Sequence, residues 1–335
     1  MSTSPKLILV ALIAAAAAPS CGGNSNSQPF GTVTAAQACA NRAQTSCTMR
    51  ASCTNGDNIK RVYGSMDACI GRITLTCMDG LAAQNQGNTP ALVQACANET
   101  PMLDCATILD NTPSGACAPT GPLPIGAACS FPGQCASGYC GSDKTATCGV
   151  CAAPPVPGDS CVTSACGYGQ ACVAATQVCE AYGHLDDACD SGTPCGTGFI
   201  CVGASAASGT PGTCQAPIET AGAACGGTLP GCDTRMGLYC VGAAGAKTCV
   251  ATTYAGDGMP CGPLTTSSYV TCLAGSCYTS TGVATSSDVG TCKADAFDGV
   301  ACDVTLGPGC LSPARCVVTA GTAGVCVVPE DGMCS

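Results

Sequence analysis

A cysteine returns every few dozen residues through the C-terminal part of this chain, each time closing a Gly-x-x-Cys step. The steps are Gly126-Ala127-Ala128-Cys129, Gly158-Asp159-Ser160-Cys161, Gly222-Ala223-Ala224-Cys225 and Gly258-Met259-Pro260-Cys261. His184 to Cys189, and Asp298 to Cys302 with its Gly299, are looser versions. The opening cysteines Cys129, Cys161, Cys189, Cys225, Cys261 and Cys302, with Cys334 last, lie 28 to 41 residues apart. Internal self-similarity of this kind marks a repeat architecture. A period held by cysteines, with loops of varying length between them, predicts a series of disulfide-stapled units.

The chain needs such staples. It has no Trp, 4 Phe and 8 Tyr, and its 46% hydrophobic content is carried largely by Ala and by 35 Cys. Few large side chains leave little apolar area to bury at roughly 25 cal/mol per Å², against the entropy of ordering loops rich in 44 Gly and 22 Pro. A bridge closing a loop of about 15 residues contributes around 3 kcal/mol in the chain-entropy model. Disulfides at this density persist in an oxidising compartment, so the expectation is an extracytoplasmic protein. Cytosolic metal storage would call for dense Cys-x-Cys and Cys-x-x-Cys clusters, whereas the sole Cys-x-x-Cys is Cys148-Gly149-Val150-Cys151.

The N-terminus agrees with export. Lys6 precedes an apolar run over 7–18, too short to span a bilayer, and Pro19-Ser20-Cys21 follows. Small residues leading into Cys21, then Gly22-Gly23-Asn24-Ser25-Asn26-Ser27, resemble a bacterial lipoprotein signal. The resemblance implies a signal peptide over 1–20, lipidation of Cys21, and a flexible tether over 21–33. Gly22, rather than Asp, after the cysteine resembles lipoproteins sent to the outer membrane. Parity agrees: setting Cys21 aside leaves 34 of the 35 cysteines, an even number for pairing. The expected partner is therefore a membrane, reached through an N-terminal lipid, at the outer membrane or cell surface; the alternative is a secreted protein. Without Lys6 the balance is 10 basic against 21 acidic residues. That excludes nucleic acid as a partner, since its binding rests on Lys and Arg at phosphates.

Residues 34–118 differ from the rest and carry helical spacing. Thr34 can cap a helix through Ala35, Cys39, Ala43 and Cys47. Ser65 can cap a second, with Cys69, Ile73 and Cys77 on one face. Thr89-Pro90 starts a third through Leu92, Val93 and Cys96, and 102–109 with Cys105 forms a shorter fourth. Eight cysteines fall here, Cys39, Cys47, Cys53, Cys69, Cys77, Cys96, Cys105 and Cys117, enough for four bridges. Cysteines eight apart share a helix face, so pairing between helices is expected. Residues 119–128, with Pro119, Gly121, Pro122 and Pro124, read as a linker.

The tandem units occupy 129–335. Their structural cysteines are Cys129, Cys135, Cys140, Cys148, Cys151, Cys161, Cys166, Cys172, Cys179, Cys189, Cys195, Cys201 and Cys214, then Cys225, Cys232, Cys240, Cys249, Cys261, Cys272, Cys277, Cys292, Cys302, Cys310, Cys316, Cys326 and Cys334. The second and third of a unit often enclose a Gly-aromatic step, as in Gly138-Tyr139-Cys140, Gly198-Phe199-Ile200-Cys201 and Gly237-Leu238-Tyr239-Cys240. The third and fourth flank a Gly-rich turn between β-branched arms, the pattern of a hairpin with a Cys on each arm. The aromatic is expected to cover the unit's own bridge. The fold class is thus a small α-helical disulfide-bonded domain followed by tandem β-hairpin disulfide repeats. This cysteine and glycine spacing resembles the Dickkopf N-terminal cysteine-rich repeat, units of which occur in tandem on bacterial surface lipoproteins. The resemblance implies an extracellular interaction module with a protein or glycan ligand.

Four cysteines allow three pairings. Closing each unit on itself leaves Cys151 and Cys334 unpaired at opposite ends of the array. Shifting the frame by one leaves Cys129 and Cys151, only 22 residues apart. The near-neighbour period favours the shifted frame, in which openers such as Cys161, Cys225 and Cys334 bond backwards and staple the units into a semi-rigid rod.

Catalytic groups are scarce. His184 is the only histidine, so a Ser-His-Asp triad would have to use it, and its place at a unit boundary with no Gly-x-Ser-x-Gly elbow argues against one; a His-based zinc site would need several histidines. Ala152-Ala153-Pro154-Pro155 behind Cys151 cannot continue the helix that a redox dithiol needs. Asp186, Asp187 and Asp190 match no calcium-loop spacing. The expectation is a non-catalytic binding or structural protein without cofactor or metal. Two alternatives stand beside it: a protease inhibitor, although Lys144, Arg235, Lys247 and Arg315 do not align between units, and an enzyme in the helical domain using Asp57, Asp67, Asp79, Glu99 or Asp104.

Overall fold

The structure, a computed structural model, describes residues 33–142, 146–162, 166–205, 208–329 and 334. Cys21, the tether and Lys144 lie outside the described residues. The N-terminal part is helical: α1 (Ala35–Cys53), α2 (Asp57–Tyr63), α3 (Met66–Ala82), α4 (Pro90–Glu99) and α5 (Cys105–Leu109). Local chemistry sets the starts. The Thr34 hydroxyl accepts from the Gln37 N–H in a capping box, Ser65 caps α3, Thr89 with Pro90 opens α4, and Asp104 caps α5. The N-cap of α2, Gly56, has no side chain to cap with, and the Thr54 hydroxyl accepts from the Asn58 N–H at 3.2 Å instead; Asn55 and Gly56 are both left-handed, and the seven residues of α2 carry too little periodicity to be read from sequence. No helix among the described residues is long and apolar enough to cross a membrane.

The eight-residue spacing on two helices makes a ladder. Cys39 bonds Cys77 and Cys47 bonds Cys69, so α1 and α3 lie antiparallel with a bridge every second turn. Cys53–Cys105 fixes α5 to the end of α1, and Cys96–Cys117 fixes α4 to the turn Gly115–Cys117. The buried side chains between them are small: Ala38, Cys39, Cys77 and Val93 in one cluster, Cys47, Ile59 and Cys69 in another.

Six hairpin units follow, at 129–151, 161–179, 189–214, 225–249, 261–292 and 302–326. In each, the first cysteine bonds the third and the second bonds the fourth, as in Cys161–Cys172 and Cys166–Cys179. The third and fourth stand opposite each other across the hairpin, Cys140 facing Cys151 and Cys316 facing Cys326, yet each bonds away from its neighbour.

The Gly-x-x-Cys step now has a physical reason. The residue three before each opener has positive φ: Gly126, Gly158, Asp186, Gly222, Gly258 and Gly299. Its N–H donates to the carbonyl of the fourth cysteine in all six units, at 2.7 to 2.9 Å, and the fourth cysteine's N–H donates back at 2.8 or 2.9 Å. The opening turn is thereby laid across the last hairpin arm, and the left-handed backbone selects Gly. Asp186 shows that the looser third unit is the same device with an acid in that conformation, which Asp tolerates better than most side chains.

The pairing corrects the shifted frame. Openers bond forwards within their own unit, Cys151 completes the first unit with Cys135, and the extra cysteine there is Cys148, which bonds Cys334. The array is therefore no rod: its last cysteine returns to its first unit and closes a covalent ring. Arg315 Nη1 donating to Ala146 O at 3.0 Å joins the same two ends. The stretch expected as a linker is also part of a unit. Leu123 pairs in parallel with Cys135, and the same bridge recurs as Gly183 with Cys195, Ile218 with Cys232 and Ala296 with Cys310.

The ring wraps the helices. Gly87 N–H donates to Gly133 O in the first unit at 2.9 Å, and Thr197 of the third hydrogen-bonds Asp110. Buried Asp57 accepts from Tyr254 Oη at 2.8 Å and from Arg61 Nε at 2.7 Å. Arg72 of α3 clasps the sixth unit, with two bonds of 2.7 Å to Asp298 and further bonds to the carbonyls of Leu311 and Ser312. Aromatic residues serve joints between units: Tyr239 of the fourth stacks on Tyr269 of the fifth at 3.7 Å.

Candidate functional site: a cationic cavity between the helices and the ring ends

The larger cavity, about 640 Å³, lies where the helices meet the first, second and sixth units. One stripe of α1 lines it: Arg42, Ser46 and Arg50, at i, i+4 and i+8, beside the stripe that carries the bridges. Tyr63, Thr76 and Gln86 add polar groups, while Ile73, Val93, Leu103 and Phe131 give apolar wall. No Asp or Glu among the described residues lines it.

Arg50 donates through Nη2 to Asn111, but its Nε is buried without a hydrogen-bond partner, as is Gln86 Oε1. Arg42 forms none of the three ion pairs found among the described residues. Burial pushes its guanidinium below the ordinary value, because desolvation penalises the charged form. It remains a cation, since arginine does not deprotonate in proteins. Burial also raises the Tyr63 phenol, with Arg50 and Arg72 acting in the opposite direction, so this hydroxyl stays a donor at neutral pH.

A second cavity, about 370 Å³, shows the contrast. It holds Arg61 and Arg235, but Asp110 and Asp233 line it too. Arg235 Nη2 lies 2.6 Å from Asp233, whose carboxylate raises the guanidinium further, and Arg61 pairs with Asp57. Cations there are neutralised within the fold. In the larger cavity they are not.

The residues singled out in the sequence do not assemble into a reactive centre. His184 is exposed in an opening turn, its N–H donating to Asp187. Asp190 accepts from the Gly192 and Thr193 amides and from the Thr193 hydroxyl, which holds its carboxyl below the usual range. Asp57 is taken up by Arg61 and Tyr254, Glu99 by Ser114 and the Ala116 N–H, and Asp104 by its helix cap; Asp67 is exposed on the first turn of α3. Cys148 and Cys151 belong to different disulfides. In at least five units three cysteine sulfurs lie within 4.8 Å of one another, which is the mutual contact of that unit's two bridges; bridged sulfur is not the thiolate that ligates metal. Arg235 and Arg315 are engaged with Asp233 and Ala146, and Lys247 is exposed.

Sequence reading missed Arg42 and Arg50. Their signal was two arginines eight apart with a serine midway on a capped helix in an acidic chain, but the ring that covers that face is assembled only in three dimensions. No protein family, curated protein or solved structure matches this chain.

Proposed function

We propose that this protein is a non-catalytic, surface-anchored lipoprotein of an extracytoplasmic compartment that binds a ligand in its own disulfide-braced body. The observation that carries the reading is the cavity that holds Arg42 and Arg50 with no acid among its described lining residues, beside site residues otherwise consumed by structure. Bridges in this number fit an oxidising compartment. The anchor follows from the signal-like segment ending at Cys21 and from the even count that remains, and the Dickkopf-like spacing of the units adds an extracellular interaction role. Expressed in a bacterial host with lipoprotein processing, the native chain partitions with the membrane fraction and yields a lipid-modified N-terminal Cys21 by mass spectrometry. Cys21→Ser releases it. Retention of Cys21→Ser on the membrane, or an unmodified Cys21 in the native chain, overturns the anchor.

A further inference from the structure

We propose that the larger cavity binds a small amphipathic organic anion, its charge held in the joint field of Arg42 and Arg50 and its apolar body lying against Ile73 and Phe131. This rests on reading the protein as a binder, but not on its anchor. The size fits: pockets of roughly 300–1,000 Å³ enclose drug-sized ligands, with mostly apolar walls and a few placed polar groups, and this one has about 640 Å³.

Charge decides the ligand class. Two partly desolvated guanidiniums with no carboxylate among the described residues of the cavity wall are a cost to the fold that a bound anion relieves, because charge pairing strengthens as water is excluded. Arg50 Nε is a buried donor still lacking an acceptor, and an oxyanion supplies acceptors. Helical rise puts Arg42 and Arg50 about 12 Å apart along α1, with the Ser46 hydroxyl between them as a further donor. The same electrostatics exclude a polyanion. The chain carries a net charge of −10, so a long anionic polymer is repelled by the surface, whereas a ligand with one or two anionic groups meets only the local field, within a Debye length of roughly 8 Å. Walls such as Ile73, Val93 and Phe131 favour an apolar body over a bare inorganic ion.

The test uses the full disulfide-bonded protein with two dyes of one skeleton: 8-anilinonaphthalene-1-sulfonate, an anion, and N-phenyl-1-naphthylamine, its neutral counterpart. Calorimetry and fluorescence at physiological salt should give one sulfonate site, at least about tenfold tighter than the neutral dye. Arg42→Met and Arg50→Met should each weaken the sulfonate about fivefold or more and leave the neutral dye unchanged, while Arg42→Lys retains most of the preference. Lys247→Met, an exposed substitution with the same charge change, should alter neither dye. Near-UV circular dichroism confirms that each variant keeps its fold. Equal affinity for the two dyes in the native protein overturns the proposal. So does an unchanged preference in a folded Arg42→Met/Arg50→Met protein, or an equal loss in Lys247→Met. Failure of Cys21→Ser to leave the membrane overturns the anchor alone.

Discussion

The helical part and the ring use the same cross-link in opposite ways. Helical bridges join different elements, with sequence separations of 21 to 52, whereas the paired bridges of the hairpin units span 11 to 20 residues and never leave their unit. In the helices the disulfides are the tertiary structure: they substitute for a core whose buried side chains are chiefly Ala, Cys and Val. In the ring they make each hairpin self-sufficient and leave the relations between hairpins to other forces. Those forces are few and individual. They include the Tyr239–Tyr269 stack, the Thr252 hydroxyl against the Thr271 hydroxyl at 2.7 Å, Lys293 Nζ donating to Leu306 O at 2.6 Å, the docking contacts on the helices, and one bridge, Cys148–Cys334, with a separation of 186. Small side chains can build a large protein if short cross-links make the parts and sparse polar contacts assemble them.

Several variants sharpen this contrast. The largest effect is expected where bridges carry the tertiary structure. Cys47→Ala/Cys69→Ala should destabilise the helices by about 3–5 kcal/mol, read as a fall in the far-UV unfolding midpoint. The corresponding pair in the second unit, Cys161→Ala/Cys172→Ala, should leave that midpoint nearly unchanged. Equal falls would mean that the two regions unfold as one.

Opening the ring comes next. In the chain-entropy model a loop of that length is worth up to about 5 kcal/mol, and the bridges inside it shorten the effective loop. Cys148→Ser/Cys334→Ser should therefore cost less than this, about 2–4 kcal/mol, with every unit's own bridges still found by non-reducing peptide mapping. In the native protein the same mapping should yield a Cys148–Cys334 peptide.

Arg72→Met removes two bonds to Asp298 and two to carbonyls. Hydrogen bonds involving a charged group contribute about 1.5–3 kcal/mol each in favourable cases, and solvent around Asp298 reduces the sum. A loss of about 2 kcal/mol should show as faster amide exchange across 296–327 while α1 and α3 keep their protection.

Within the units the fourth strand arm gives a finer test. A Cβ added at Gly290 would stand 2.6 Å from Tyr278 O and 2.8 Å from Cys277 Sγ. Gly290→Ala should cost about 1–3 kcal/mol through this overlap. Lys247→Ala at the matching place in the fourth unit should stay within about 0.5 kcal/mol.

The smallest effect is a pH dependence centred on Asp295 and Asp298, at the start of the sixth unit. Burial pushes the Asp295 carboxyl up from 3.8 to about 6. The folded state thus holds that proton more tightly than the unfolded chain. Its contribution is complete below about 3.8 and is lost as pH rises to about 6. Allowing for solvent around this partly exposed group, the change is about 1 kcal/mol. Asp298 acts with the opposite sign: Arg72 holds its carboxyl low, so its stabilisation is present above the ordinary carboxylate range and fades on acidification. Asp295→Asn should flatten the loss between pH 4 and 6, seen in the denaturation midpoint of the ring, and leave the acid limb intact.

Local chemistry was legible throughout. Thr34, Ser65 and Thr89-Pro90 start helices because a cap is decided by a few adjacent residues, and the Cys39/Cys47 and Cys69/Cys77 spacings announce a shared face because helical period fixes it. The hairpins and the oxidising compartment could be read for the same reason. The connectivity and the candidate site could not. Gly126 and Asp186 carry the same hydrogen bond to a fourth cysteine although only one looks like the motif, since the shared property is a backbone angle. Near-neighbour spacing pointed to bonds between units, but the opening turn lies across its own hairpin and delivers each opener to the third cysteine at a Cα separation of 5.7 to 6.0 Å.

The sequence alone thus determined the helices, the stapled units and the side-chain economy that makes staples necessary, all of which depend on residues close in the chain. Only the tertiary structure decided that Cys148 meets Cys334, that Arg72 reaches Asp298, and that Arg42 and Arg50 face a cavity with no acid among its described lining residues. Each of these joins segments far apart in sequence through the curvature of the whole array. That curvature is the accumulated result of many small turns, which no single stretch of residues encodes.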